Sequence, residues 1–281
     1  MSNCRYCQKP AGFLRKQHKE CHKKFQEGIC LLNTKFNNQV TNGFNKTNLD
    51  SLLHSLETTN FITKENLQPL IVSAWKNSVD NTFDDNILSL NEETNLIELK
   101  NHFNLTETIL NNDNHHTKLV QGATLRDLTE GKIPNRIGNK KQIQSTLPFN
   151  FTKKEELIWY FNNVDYLETK LKTRYEGRSS GVSIRVAKGI YFRTSAFKGN
   201  PVSYQETNHI DTGTLAITNQ NIYFDSNNKT FKIKFDKIIA FKPYSDGVEI
   251  QKDGSTSKPQ TFVTGDGWFI YNLLTQIAVL E

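Results

Sequence analysis

GTLAITNQNIYF, residues 213–224, is the stretch whose reading decides the fold. Two runs rich in β-branched and aromatic residues, GTLAIT (213–218) and NIYF (221–224), are separated by Asn219 and Gln220 alone, which is the spacing of a hairpin. Downstream, TFKIKF (230–235) alternates with period 2, so Phe231, Ile233 and Phe235 point inward and Lys232 and Lys234 outward. IIAF (238–241) and GVEIQ (247–251) continue the pattern, with Asn227–Asn228 and Ser245–Asp246–Gly247 as turn residues. Upstream, VSIRV (182–186) and GIYFR (189–193) complete seven short strands. Before them, Thr152–Leu171 reads as a helix anchored by Trp159, Tyr160 and Phe161. The chain closes with GDGWFIYNLLTQIAVL (265–280), an amphipathic helix expected to bury Trp268, Tyr271 or Asn272, Leu274 or Thr275, and Ala278.

Seven antiparallel strands closed by one helix resemble the pleckstrin-homology (PH) superfold. The 213–224 hairpin, with KFDKIIAF (234–241) and YSDGVEI (244–250), resembles its GRAM/bacterial PH-like branch over about residues 175–280. The resemblance implies a domain that binds phosphoinositides, peptides or other proteins, and it leaves the ligand open. A basic cluster around a Gly-Ser loop, comprising Arg174, Arg178, Arg185, Lys188 and Arg193, offers a cradle for phosphate or anionic lipid. Alternation also places Arg185 and Arg193 on a solvent face, where basic residues need no ligand.

The N-terminus is of another kind. CRYCQKPAGFLRKQHKECH, residues 4–22, holds three of the four cysteines and two of the seven histidines. Cys4 and Cys7 form a C-x2-C pair, whose turn points both sulfurs at one ion. Arg15–Lys24 has helical composition, and there His18 lies three residues from Cys21 and four from His22, so either pair shares a face. Two sets follow: Cys4, Cys7, His18 and Cys21, which is preferred, or His22 in place of Cys21. Both close a tetrahedron, making the expected Zn²⁺ structural. The stretch resembles the short Cys-Cys-His-Cys zinc modules at the N-termini of several bacterial proteins, which implies recognition or anchoring. Residues 1–30 carry seven basic residues against two acidic ones, nearly the whole of the net charge of +6. Arg15, Lys16, Lys19, Lys23 and Lys24 are therefore candidate contacts to nucleic-acid phosphates. They serve equally to solvate a tiny domain and to offset metal-bound thiolates.

Between these ends the pattern is helical. Leu49, Leu52, Leu53 and Leu56 recur at helical spacing, Thr63 opens a second helix with Pro69 early, and Ser89-x-x-Glu92 is a capping box before Leu96, Leu99 and Phe103. Residues 84–99 resemble the helical domains of the tellurite-resistance-B type, in which acidic residues at helix starts can hold a metal. Asp84, Asp85, Glu92 and Glu93 are equally explained as charges facing a helix dipole. His115–His116 reads as a solvated pair in an Asn/Asp-rich loop.

The organisation expected is α+β and multidomain: a zinc module (1–28), a helical domain (45–128), a linker (129–150), and a helix plus PH-like antiparallel sandwich or barrel with a C-terminal helical cap (151–281). At 281 residues, 36% hydrophobic and with mean hydropathy −0.59, the chain offers no run long enough to span a bilayer and no signal-peptide core after Ser2. With only Cys30 left over, the cysteines suit a cytoplasmic protein. No nucleophile elbow, P-loop, dinucleotide fingerprint or HExxH motif is present, and His209 beside Asp211 has no nucleophile. The function expected is a non-catalytic modular adaptor, with a protein partner foremost. A nucleic-acid-binding regulator led by the zinc module is the alternative, and anionic lipid is a third partner class.

Overall fold

The computed structural model describes residues 2–13, 15–84, 88–138, 140–187, 190–254 and 257–280, with backbone alone at 141 and 170–205. The chain divides into two compact units, Met1–Ile137 and Gly138–Glu281.

The first unit is helical: α1 (Lys19–Asn42), α2 (Lys46–Thr59), α3 (Lys64–Thr82), α4 (Leu90–His102), α5 (Glu107–Leu110) and α6 (His115–Thr129). α1 places Leu32, Phe36 and Val40 four residues apart on one buried stripe. Trp75 of α3 is fully buried, and its indole N–H donates to the Leu96 carbonyl at 2.9 Å. The capping box forms as read: the Glu92 N–H donates to Ser89 Oγ at 3.2 Å and the Ser89 N–H to Glu92 Oε2 at 3.0 Å. His115 and His116 are not solvated loop residues, because they open α6. The helix starts from Asn114 in the left-handed region (φ 61°), a start without the usual capping residue pattern. Gly122 lies mid-helix because a Cβ there would sit 2.5 Å from the Phe83 ring.

The second unit holds α7 (Lys140–Thr146), seven strands and α8 (Gly267–Ala278). The strands are β1 (Leu157–Ala187), β2 (Ile190–Thr218), β3 (Asn221–Ser226), β4 (Thr230–Lys234), β5 (Ile238–Pro243), β6 (Gly247–Lys252) and β7 (Gln260–Val263). They form one antiparallel sheet in the order β4-β3-β2-β1-β7-β6-β5. Two meanders, β1–β4 and β5–β7, thus meet through β1 and β7, and α8 packs on β5 and β6. That is a PH-like plan, and the chain as a whole is α+β.

The helix expected over 152–171 is instead the start of β1. Its register with β2 is broken between Leu157 and Trp159, between Phe161 and Val164, and between Tyr166 and Leu167. The breaks shift the two-residue alternation, so the buried residues Leu157, Ile158, Trp159, Val164 and Tyr166 do not keep a strict period of 2. Residues 190–193, from the expected strand 189–193 whose first residue lies outside the described ones, and 213–218 belong to one strand, β2, and the seventh strand is 260–263. Beyond the β1–β7 pairing at Asp165–Glu168, the β1–β2 ladder continues as a two-stranded ribbon to Ala187–Ile190.

The Thr218–Tyr223 turn is tied to the start of the unit by one carboxylate. Glu155 is only 6% exposed. Its Oε1 accepts from Thr218 Oγ1 (3.2 Å), Asn221 Nδ2 (2.5 Å) and Tyr223 OH (2.8 Å), and its Oε2 accepts from the Thr152 N–H (2.7 Å). Burial alone would push this carboxyl up, but the donors outweigh it and hold it below its usual range.

Asp266 caps α8 by accepting from the Phe269 N–H at 3.0 Å, and this sets the helix phase. Phe269, Ile270, Leu273, Leu274 and Ile277 face the sheet, whereas Trp268 is 42% exposed. The buried stripe is therefore one residue out of phase with the stripe expected through Trp268. Phe269→Ala is expected to destabilise the second unit by about 3–5 kcal/mol, and Trp268→Ala by under about 1 kcal/mol. Paired urea melts of the two variants check the order, and a larger loss at Trp268 would refute the phase.

Candidate metal centre

Residues 2–10 fold on themselves. Asn3 bridges to Pro10, the Cys4 N–H donates to the Lys9 carbonyl (2.8 Å), and the Gln8 N–H donates to the Cys4 carbonyl (2.9 Å) with Gln8 left-handed at φ 60°. This small turn directs the Cys4 and Cys7 sulfurs to one side. After the loop at Gly12, the Arg5 N–H donates to the Lys16 carbonyl (3.0 Å), which brings the chain back beside the turn. His18 is the extended N-cap of α1 (φ −79°, ψ 143°), and Cys21 lies in its first turn. The positive end of the helix dipole thus faces the sulfurs.

One donor atom from each of Cys4, Cys7, His18 and Cys21 lies within 4.8 Å of the others. His18 Nδ1 is 3.3 Å from Cys7 Sγ and 3.7 Å from Cys21 Sγ. A tetrahedral ion at ordinary Zn–S and Zn–N distances needs edges of about 3.5–3.8 Å, so the set fits. His18 Nε2 is 3.0 Å from the Pro10 carbonyl, which can only accept. That bond puts the proton on Nε2 and leaves the Nδ1 lone pair toward the sulfurs, as metal-binding histidines require.

The electrostatics point the same way. Burial would push the Cys4 thiol up, but backbone N–H groups of Cys7, His18 and Tyr6 on its sulfur hold it down to about 6. Burial and the adjacent Cys7 and Cys4 sulfurs push Cys21 up to about 11. Three sulfurs this close are all thiolates only with a cation among them. A metal ion answers that demand.

His22, the alternative ligand, turns away. Its Nδ1 meets Tyr6 OH at 3.0 Å and its ring stacks on Tyr6. Tyr6 was not singled out from the sequence, yet it seats the turn on the helices: its ring lies 5.0 Å from Phe25 and 6.4 Å from Phe61. An aromatic between the two cysteines of a segment with almost no core of its own was the available signal.

Arg15, Lys16, Lys19, Lys23 and Lys24 are all exposed. Lys23 approaches Glu27 at 3.9 Å, and the other four have no ion pair among the described residues. Arg174 and Arg178 fall on the β1 backbone of the ribbon with their side chains outside the described residues, and Lys188 lies outside them altogether. Residues 170–205 hold eight basic residues against Glu176 alone. The charge excess therefore does not belong nearly wholly to the N-terminus, because acidic residues elsewhere mask a second basic segment.

The remaining candidates have other partners. Glu92 belongs to the capping box, and Glu93 is buried between Arg126 and Arg136, each 2.5 Å away. Asp85 is outside the described residues. His115 pairs with Asp80 at 3.1 Å, and His116 lies 3.3 Å from Lys100. His209 Nε2 meets both Asp165 and Thr212 at 3.2 Å, while Asp211 accepts from the Asn228 N–H at 2.9 Å, so His209 and Asp211 do not form a base and its orienter. No helix among the described residues is long and apolar enough to cross a membrane.

No family model and no curated protein matches the chain. Among solved structures, the complex of PDZ-RhoGEF DH/PH domains with GTP-γ-S-activated RhoA aligns over 93% of this chain and 69% of that one, at 8% identity and a TM-score of 0.25. The PH-like description of the second unit rests on its own strand order and closing helix.

Proposed function

We propose that the chain is a non-catalytic binding protein in which a structural zinc ion shapes the N-terminal tip and the PH-like unit supplies a second recognition surface. The closed donor set of Cys4, Cys7, His18 and Cys21 carries this reading. Three sulfurs and one imidazole suit Zn²⁺ by ligand softness, and four protein donors leave no position for water or substrate. Reduced thiols of this kind suit a cytoplasmic setting.

For the PH-like unit the partner proposed is a protein. The supporting observation is exposed apolar surface on two elements that pack together, Ile239 of β5 (66% exposed) and Trp268 of α8.

Metal analysis of chain purified without chelator is expected to give one zinc per chain. Cys21→Ser should release it and His22→Ala should retain it. The reverse pair of results would replace Cys21 by His22 in the set, and a chain with no metal would end the zinc reading.

A further inference from the structure

The loop between the second cysteine and α1 holds Phe13 in water. Its side chain is 84% exposed, beyond any other large apolar residue described. An apolar residue beside a metal turn serves either as the minimal core or as a contact surface, and this exposure rules out the core. Both ends of the loop are anchored. The Ala11 N–H donates to the Ser2 carbonyl (3.0 Å), and Ser2 Oγ donates to the Arg15 carbonyl (2.6 Å), so one residue pins both ends. Gly12 at φ 92° makes the left-handed step that turns the chain outward just before Phe13.

Cations neighbour this aromatic in the chain: Arg15 and Lys16 follow it, and the Arg5–Lys16 backbone bond adds Arg5 to the same tip, with its guanidinium over the Tyr6 ring at 4.9 Å. Lys9, Arg15, Lys16 and Lys19 are exposed and have no ion pair among the described residues. Unpaired like charges gathered on so small a surface repel one another, and a polyanion removes that cost while releasing its counterions.

From these observations we infer that the N-terminal tip binds single-stranded nucleic acid, with Phe13 stacking on one base and the flanking Arg and Lys side chains pairing with phosphates. An exposed aromatic with cations before and after it in the chain matches the repeat of a single strand, in which base faces alternate with charges and every base offers a π-face. In a duplex those faces are already stacked on one another and closed to it. An anionic membrane would also attract the cations. However, a single aromatic on a tip whose helix continues with Glu20, Gln26 and Glu27 exposed offers little apolar area to insert. The inference rests on the metal-closed tip proposed above and assigns it a ligand class.

The test uses the full, zinc-loaded chain and fluorescent oligothymidylate and oligouridylate of about 15 nucleotides. Comparison probes are a duplex of equal length and vesicles of phosphatidylcholine with phosphatidylserine. Anisotropy at about 50 and about 200 mM salt gives affinity and salt slope. Both single strands are expected to bind more tightly than the duplex. Phe13→Ala should weaken them about five- to a hundredfold with an unchanged slope, and Phe13→Trp should restore binding. Joint replacement of Arg15, Lys16 and Lys19 by Gln should reduce the log–log slope by about 2. Several results would overturn the inference: duplex bound equally well, Phe13→Ala behaving as the parent, or binding that survives both variants and so belongs to residues 170–205. Vesicle binding without oligonucleotide binding would do the same. Metal content and melting are read on the same samples. A folded, zinc-loaded chain that binds no oligonucleotide defeats this inference alone, whereas a chain without metal defeats the zinc reading first.

Discussion

Cys4→Ser is expected to empty the metal site and unravel residues 2–18 while leaving the PH-like unit intact. Cys4 is the buried member of the set, and its sulfur accepts the backbone N–H groups that organise the turn. Structural zinc contributes about 10–16 kcal/mol of apparent binding energy at neutral pH, and that energy is folding energy wherever the site does not pre-exist in the unfolded chain. Metal per chain should fall from one to near zero. The three remaining thiols should react fully with a thiol reagent, and the helical unit should melt at a lower temperature, because Tyr6 leaves its seat on Phe25 and Phe61. Chelation of the parent should reproduce the loss. Cys30→Ser, at an exposed position on α1 outside the set, is the control and should keep its metal. A Cys4→Ser chain that binds zinc and melts like the parent would refute the site.

The second large effect lies in the other unit. Glu155→Ala should destabilise it by about 2–4 kcal/mol, because Asn221 Nδ2 and Tyr223 OH would be left buried without their acceptor. The change should also be visible in pH dependence. A carboxyl whose folded pKa is depressed stabilises fully above its unfolded pKa of about 4.3 and loses that contribution as pH falls through the folded value. The parent should therefore lose stability on acidification below about pH 5 more steeply than Glu155→Gln. Asp165, held down by its hydrogen bond from Thr212, is common to both chains and cancels in the difference. Denaturant midpoints for a second-unit probe at pH 7 and at pH 3 to 4 measure it. Parallel pH profiles would mean that Glu155 is not the titrating link.

The features legible in the sequence were those fixed by local spacing. Cys4, Cys7, His18 and Cys21 are close in the chain, so their spacing announces the site without knowledge of the fold. The 213–224 hairpin was legible because its two runs of β-branched and aromatic residues are separated by Asn219 and Gln220 alone and pair with each other. What failed depended on distant partners. β1 was not read as a strand because breaks in its pairing with β2 interrupt the alternation, and the breaks are visible only beside that partner. α6 was hidden by Gly122, which a helix interior normally avoids and which the Phe83 ring requires. Trp268 was misplaced because hydrophobicity alone does not set the phase of a helix that Asp266 starts. The choice between Cys21 and His22 was open in the sequence because Tyr6, which meets His22 across sixteen residues, is a partner that local spacing does not reveal.

α1 runs unbroken for 24 residues, from Cys21 in its first turn to Phe36 and Val40 in the helical core. A helix of that length spans about 36 Å. Its slow step is nucleation, since the first turn fixes several residues in return for a single hydrogen bond. His18 and Cys21 are the residues of that turn, and the contact that fixes them, Cys4 to Cys21, closes a loop of only seventeen residues. With the proposed ion bound, this short loop would supply the nucleus that an isolated α1 lacks. Growth can then proceed from the metal end toward Leu32, Phe36 and Val40, so that the order of assembly runs from coordination to helix to core.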